Sequence, residues 1–184
     1  MTGSGPGGGV CVVGSINVDT TYRVPRIPAP GETVLAQSRS RSPGGKGANQ
    51  AAAAASLGGA VTIVGCTGDD ADGRWAIDSL IHRGVDVAWV RTTHDARTGT
   101  AAVAVSPDGE NAIVVDPGAN QLLDPGLVKD VVSAGAHGVV LVQLEVNLDA
   151  VLSAAMSSGP ATLVLNPAPM TAHARSLALS LIHI

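Results

Sequence analysis

The 184-residue sequence has no phenylalanine, one tyrosine and two tryptophans. Aliphatic side chains must therefore fill any core, and the aromatic platforms on which single-stranded nucleic acid stacks are almost missing. Charged residues are scarce at 14%, and the 11 Lys and Arg against 15 Asp and Glu leave a formal charge of −4, which argues against a polyanion-binding surface. There are two cysteines, Cys11 and Cys66, each inside an apolar run. Their distance in sequence gives neither a metal-ligand spacing nor a disulfide framework, so both are expected to be buried, reduced thiols. No apolar stretch is long enough for a membrane span, and the opening Met-Thr-Gly-Ser-Gly-Pro lacks a signal-peptide layout, so a cytoplasmic protein without a membrane partner is expected.

What is present is aliphatic and turn-rich: 45% hydrophobic residues, 23 Gly and 11 Pro. Short apolar runs at 10–14, 61–66, 138–143 and 161–165 read as strands buried on both faces. Helix-like stretches at 48–57, 73–83, 125–132 and 148–157 alternate with them, which predicts an α/β fold with a mostly parallel sheet. Two segments break that rhythm. The proline-rich stretch 22–42 ends in an alternating run, 32–37, that reads as an edge strand. The runs 100–105 and 111–115 flank Ser106-Pro107-Asp108-Gly109-Glu110 and read as a β-hairpin. Together they predict a small β appendage, about 20–42 and 98–118, on an α/β body from residue 10 to 178, after a disordered tail of nine residues.

Three places could carry chemistry. Gly14-Ser15-Ile16-Asn17-Val18-Asp19 follows the first strand, where ligands of open α/β sheets collect. An amide and a carboxylate there suit a polyol, although an Asx turn closing the strand uses the same residues. Pro43-Gly44-Gly45-Lys46-Gly47-Ala48-Asn49-Gln50 runs into an alanine-rich helix and offers backbone N–H groups with one cation, Lys46. It is not a Walker loop, since Gly47 follows Lys46 in place of Ser or Thr, and no G-x-G-x-x-G follows the first strand. Gln143-Leu144-Glu145 ends a central strand and puts a carboxylate at the same edge. Thr67-Gly68-Asp69-Asp70-Ala71-Asp72-Gly73 lacks the alternation of a calcium loop and reads as a helix N-cap cluster. The five histidines (82, 94, 137, 173, 183) show no paired spacing for a metal.

Taken in order, Gly14 to Asp19, Pro30-Gly31-Glu32-Thr33, Gly44 to Ala51, Cys66 to Asp70, Pro117-Gly118-Ala119-Asn120, Gln143-Leu144-Glu145 and Asn166-Pro167-Ala168-Pro169 resemble the PfkB-type family of sugar kinases, on its ribokinase branch. The resemblance runs from about residue 10 to 169. It implies a ribokinase-like three-layer α/β sandwich whose β appendage is a lid over the sugar, often also a homodimer contact. It implies transfer of phosphate from ATP to the primary hydroxyl of ribose, with Mg2+ and a monovalent cation, K+, as activator. Carried over position by position, Asn17, Asp19, Gly45, Lys46, Asn49 and Glu145 would hold the sugar hydroxyls. Another sugar or nucleoside kinase of the family, or a non-catalytic sugar-binding module, would share these motifs.

The family's catalytic aspartate lies in a Gly-Ala-Gly-Asp motif, which this sequence does not contain. The nucleotide site and the cation site belong to the same later part of the family's fold. The chain is thus expected to be a piece truncated at its C-terminal side, with a sugar pocket and lid but no turnover of its own. Residues 179–184 resemble translated sequencing-adapter DNA and are expected to be foreign.

Overall fold

The computed structural model describes residues 8–170; the expectation for 179–184 and most of the expected N-terminal tail fall outside them. The main sheet takes β1 (Gly9–Val13), β4 (Val61–Gly68), β5 (Val85–Thr93), β8 (His137–Gln143) and β9 (Thr162–Asn166) in the order β5-β4-β1-β8-β9, all parallel. Their β-branched side chains suit a pleated surface covered on both faces. On one face Val12, Ile63 and Val61 pack against Ala48 and Ala51 of α1 (Lys46–Ser56) and Ala76 and Leu80 of α2 (Ala71–His82). On the other, Cys11, Val13, Val64 and Val140 pack against α3 (Pro125–Ala134) and α4 (Leu148–Ser157). The result is the expected α/β three-layer sandwich with an all-aliphatic core.

A second, four-stranded sheet has the order β3-β2-β6-β7, from β2 (Asn17–Arg23), β3 (Ser38–Gly44), β6 (Gly99–Val105) and β7 (Asn111–Asp116). β2 is antiparallel to β3 and parallel to β6, and β6–β7 is the expected hairpin. Residues 14–16 link β1 to β2, which Asn17 starts. The alternating run 32–37 is not a strand: Glu32 bonds to Arg26 and to the Ala29 N–H, and Leu35 is exposed, so the run has no face to bury. The edge strand is instead the polar Ser38–Gly44, whose register on β2 runs from Asn17 opposite Gly44 to Arg23 opposite Ser38. β5 was not foreseen from the sequence.

Helix starts explain much of the local order. Asp70 caps α2 by accepting from the Gly73 N–H at 2.8 Å, Asp124 caps α3 ahead of Pro125, and Asn147 caps α4 through the Ala150 N–H at 2.9 Å. The Thr67–Gly73 cluster is thus a cap, as its spacing suggested. α1 differs: it starts after Gly45 with no side-chain cap of its own. Both cysteines are free and buried, and burial pushes the Cys11 thiol up to about 12, which keeps it protonated and unreactive.

Ile63 is fully buried between the sheet and α1. Ile63→Ala should cost about 2–5 kcal/mol, read as a lowered denaturant midpoint with an unchanged slope.

Candidate functional site

Four N–H groups at the start of a helix have no partner within it. In α1 these are satisfied from distant segments. Glu145, two residues past β8, accepts the Lys46 N–H at 2.9 Å and the Ser15 hydroxyl at 2.6 Å on Oε2. Its Oε1 lies 3.1 Å from the Lys46 ammonium. The Gly47 N–H donates to Ser15 Oγ at 3.3 Å, and the Ala48 N–H donates to the Ser15 carbonyl at 2.9 Å. One carboxylate at a helix N-terminus therefore fastens β1, α1 and β8 together through charge-assisted hydrogen bonds.

The Gly45 backbone that makes this turn has φ 89°, and a Cβ there would come within 2.8 Å of both Asn17 N and the Ser15 carbonyl. Only glycine combines that dihedral with that approach. Gly45 is buried, so it shapes the site through its backbone.

A cavity of ≈ 490 Å³ opens at this point between the strand ends and the second sheet, lined by Asn17, Lys46, Asn120, Glu145 and, from β7, Ile113 and Val115. Asp19 shares the Asn17 face of β2, since side chains two apart point the same way. Its Oδ1 is buried without a hydrogen-bond partner among the described residues. Burial, and then the nearby Glu145 charge, raise the Asp19 pKa above the usual aspartate range, with Lys46 opposing. Of the six expected residues, Asn17, Asp19, Gly45, Lys46 and Glu145 are thus brought to one place. Asn49 is one turn along α1 from Lys46, exposed, and borders a pocket of only ≈ 20 Å³ beside Pro43 and Gly44 instead of the cavity.

Two site residues lay in the quoted motifs without a role. Ser15 bridges Glu145 to the helix, and Asn120 sits against Asn17; a small polar residue just after an apolar strand run was the available signal for the first, and the second had none beyond its motif. Gln143, fully buried with both side-chain polar atoms unpartnered among the described residues, has no assigned part. No group of three or more His, Cys, Asp or Glu among the described residues is placed to hold a metal ion.

A parallel α/β sandwich with a polar cavity between its strand ends and a small β-sheet is the ribokinase-like fold class. The comparisons agree: residues 8–183 match the pfkB family carbohydrate kinase model, and the chain belongs to that family. It is 39% identical over 161 residues to the ribokinase of Haemophilus influenzae, covering 86% of this chain and 53% of that one. The structure of ribokinase from Cryptococcus neoformans var. grubii in complex with ADP superposes with a TM-score of 0.82 at 37% identity, over 91% of this chain and 53% of that one. That of Arabidopsis thaliana ribokinase complexed with ribose and ATP gives 0.71 at 31% identity, over 86% and 53%. The chain spans about half the length of these relatives.

Removing the shared carboxylate leaves the Ser15 hydroxyl and the Lys46 N–H without an acceptor. Glu145→Ala should therefore cost about 1–3 kcal/mol, while Glu145→Gln, which keeps one oxygen, should lose less; chemical denaturation of both variants checks the order. The raised Asp19 pKa has a defined sign. The protonated form is favoured in the fold, so its stability contribution is complete below the unfolded pKa and is lost as pH rises through the folded one. Asp19→Asn should accordingly be more heat-stable than the parent at neutral pH, the gap closing as the pH falls towards the ordinary aspartate range.

Proposed function

We propose that this chain forms the sugar-binding and lid part of an ATP-dependent ribokinase, which converts D-ribose to D-ribose 5-phosphate. The observation that carries the reading is the buried, unpartnered Asp19 Oδ1 beside Asn17 and the Lys46–Glu145 pair. A buried acceptor without a donor is costly, and a sugar hydroxyl supplies that donor. The identity to ribokinases and the motif order favour ribose within the family. In this reading Asn17, Asp19, Gly45, Lys46 and Glu145 set the sugar, while Asn49, which the family resemblance also offered, lies outside the cavity.

Phosphoryl transfer asks the protein mainly to hold the acceptor oxygen in line and to exclude water. The hydroxyl-binding groups supply the first, and the β2-β3-β6-β7 sheet, as a lid, the second. The start of α1 does not fit a nucleotide phosphate, because its N–H groups are already bonded to Glu145 and Ser15. ATP, with Mg2+ and K+, is accordingly assigned to a part of the protein outside the described residues, together with the catalytic aspartate. Val114 of β7, exposed on the face opposite Ile113 and Val115, supports the lid as a homodimer contact in a cytoplasmic enzyme. No helix among the described residues is long and apolar enough to cross a membrane.

The test is phosphate transfer from ATP by the complete gene product to a panel of pentoses, hexoses and nucleosides. Ribose should be the preferred acceptor, and Asp19→Ala should lower kcat/KM for ribose about ten- to a hundredfold while leaving the KM for ATP nearly unchanged. Transfer to a hexose or nucleoside with ribose inert would overturn the substrate assignment.

A further inference from the structure

Asn120 is 1% exposed and lies in the 3-10 turn Gly118–Leu122 that leads from the lid strand β7 back to the body. Its hydrogen bonds settle the direction of two side-chain amides. The Ile16 N–H can only donate, and it donates to Asn120 Oδ1 at 2.9 Å. The Pro117 carbonyl can only accept, and it accepts from Asn120 Nδ2 at 2.9 Å. The Asn120 amide therefore has one allowed orientation. Its Nδ2 also donates to Asn17, 2.7 Å away, with the Ile16 carbonyl a longer third acceptor at 3.4 Å, so the Asn17 atom facing it must be the oxygen. That leaves Nδ2 as the remaining polar atom of Asn17, a residue that is 3% exposed and lines the cavity.

The lid strand β6 is shaped around this pair. Its first residue, Gly99, is the register partner of Asn17, and a Cβ at Gly99 would collide with both Asn120 Nδ2 and Asn17 Oδ1. The amides thus join the ends of β2, β6 and β7 to the end of β1, where the lid leaves the body.

We propose that Asn120 is a positioning residue that locks the Asn17 side chain so that only its NH2 group faces the cavity, and that Asn17 and the neighbouring Asp19 thereby form an ordered donor and acceptor pair. The ligand must then offer a lone pair to Asn17 and a hydroxyl hydrogen to Asp19. This ordered demand suits a polyol, whose hydroxyl groups can accept at one position and donate at the next. The inference rests on the sugar-site reading for its ligand, but the amide orientation itself does not.

The experiment is 15N NMR of side-chain amides in the 184-residue chain, with hydrogen exchange measured before and after titration with D-ribose. The Asn120 NH2 should be strongly protected without sugar, exchanging at least about tenfold more slowly than that of exposed Asn49, and the Asn17 NH2 should shift on adding ribose. Asn120→Asp keeps an acceptor for the Ile16 N–H but turns Asn17 round towards the new carboxylate, so protection should appear on the Asn17 NH2, a transfer that lost packing would not produce. Asn120→Ala and Gly99→Ala should each weaken ribose binding about ten- to a hundredfold by calorimetry. An Asn120 NH2 that exchanges as fast as that of Asn49 overturns the proposal, as does an Asn17 NH2 unprotected in folded Asn120→Asp. If the parent chain shows the protection but binds no ribose, the sugar assignment falls and the amide lock stands.

Discussion

One carboxylate organises this molecule. Glu145 lies just past the central strand β8 and takes the place of the N-cap that α1 does not carry in its own sequence. The first turn of α1, the end of β1 through Ser15 and the Lys46 ammonium all converge on its two oxygens. A local cap, as at α2, α3 and α4, would satisfy the helix end without tying it to β8. By capping the helix from a distant strand, the fold puts the helix end at the mouth of the polar cavity. It holds Lys46 by both its backbone and its side chain.

The second constraint is how the lid leaves the body. β1 and β2 are separated only by Gly14-Ser15-Ile16, so the chain passes from the buried parallel sheet to the lid within a few residues. Ile16 is fully buried, and its N–H is held by Asn120. The same short passage delivers Ser15 to Glu145, Asn17 to the cavity and Asp19 to the same face of β2, within reach of the Glu145 and Lys46 charges. Body and lid therefore share their polar residues, and a displacement of the lid would change the presentation of Asn17 and Asp19 together.

The cavity is polar at its base and apolar on its β7 side, where Ile113 and Val115 face it. This division would suit the proposed polyol, with amide, carboxylate and ammonium for its hydroxyls and an apolar wall from the small sheet. Asp19 contributes an ionisable acceptor whose burial costs stability, a sacrifice typical of binding sites. Without aromatics, the core relies on close aliphatic packing, and the small alanines of α1 let the helix approach the sheet and bring its N-terminus to the strand ends.

The sequence determined what local rules can carry. Alternating apolar runs and helix stretches defined the α/β class, the Ser106–Glu110 turn defined the hairpin, and Asp70 was legible as a cap because capping acts over three residues. It also placed Asn17, Asp19 and Glu145 among the candidates, since polar residues at the ends of apolar strands fall on one edge of a parallel sheet, and Lys46 through the glycine-rich loop that enters α1. Tertiary structure decided the rest. Ser38–Gly44 became an edge strand although it is almost wholly polar, because pairing with β2 depends on backbone register and not on an apolar face. The Glu145 cap and the Asn17–Asn120 pair span about a hundred residues, beyond the reach of any local pattern. Asn49, equal to its neighbours in the sequence, differs from them only in pointing outwards on α1. Which polar groups meet is settled by how sheet, helix and lid close on one another, and that closure is a property of packing, with no signature at any single position.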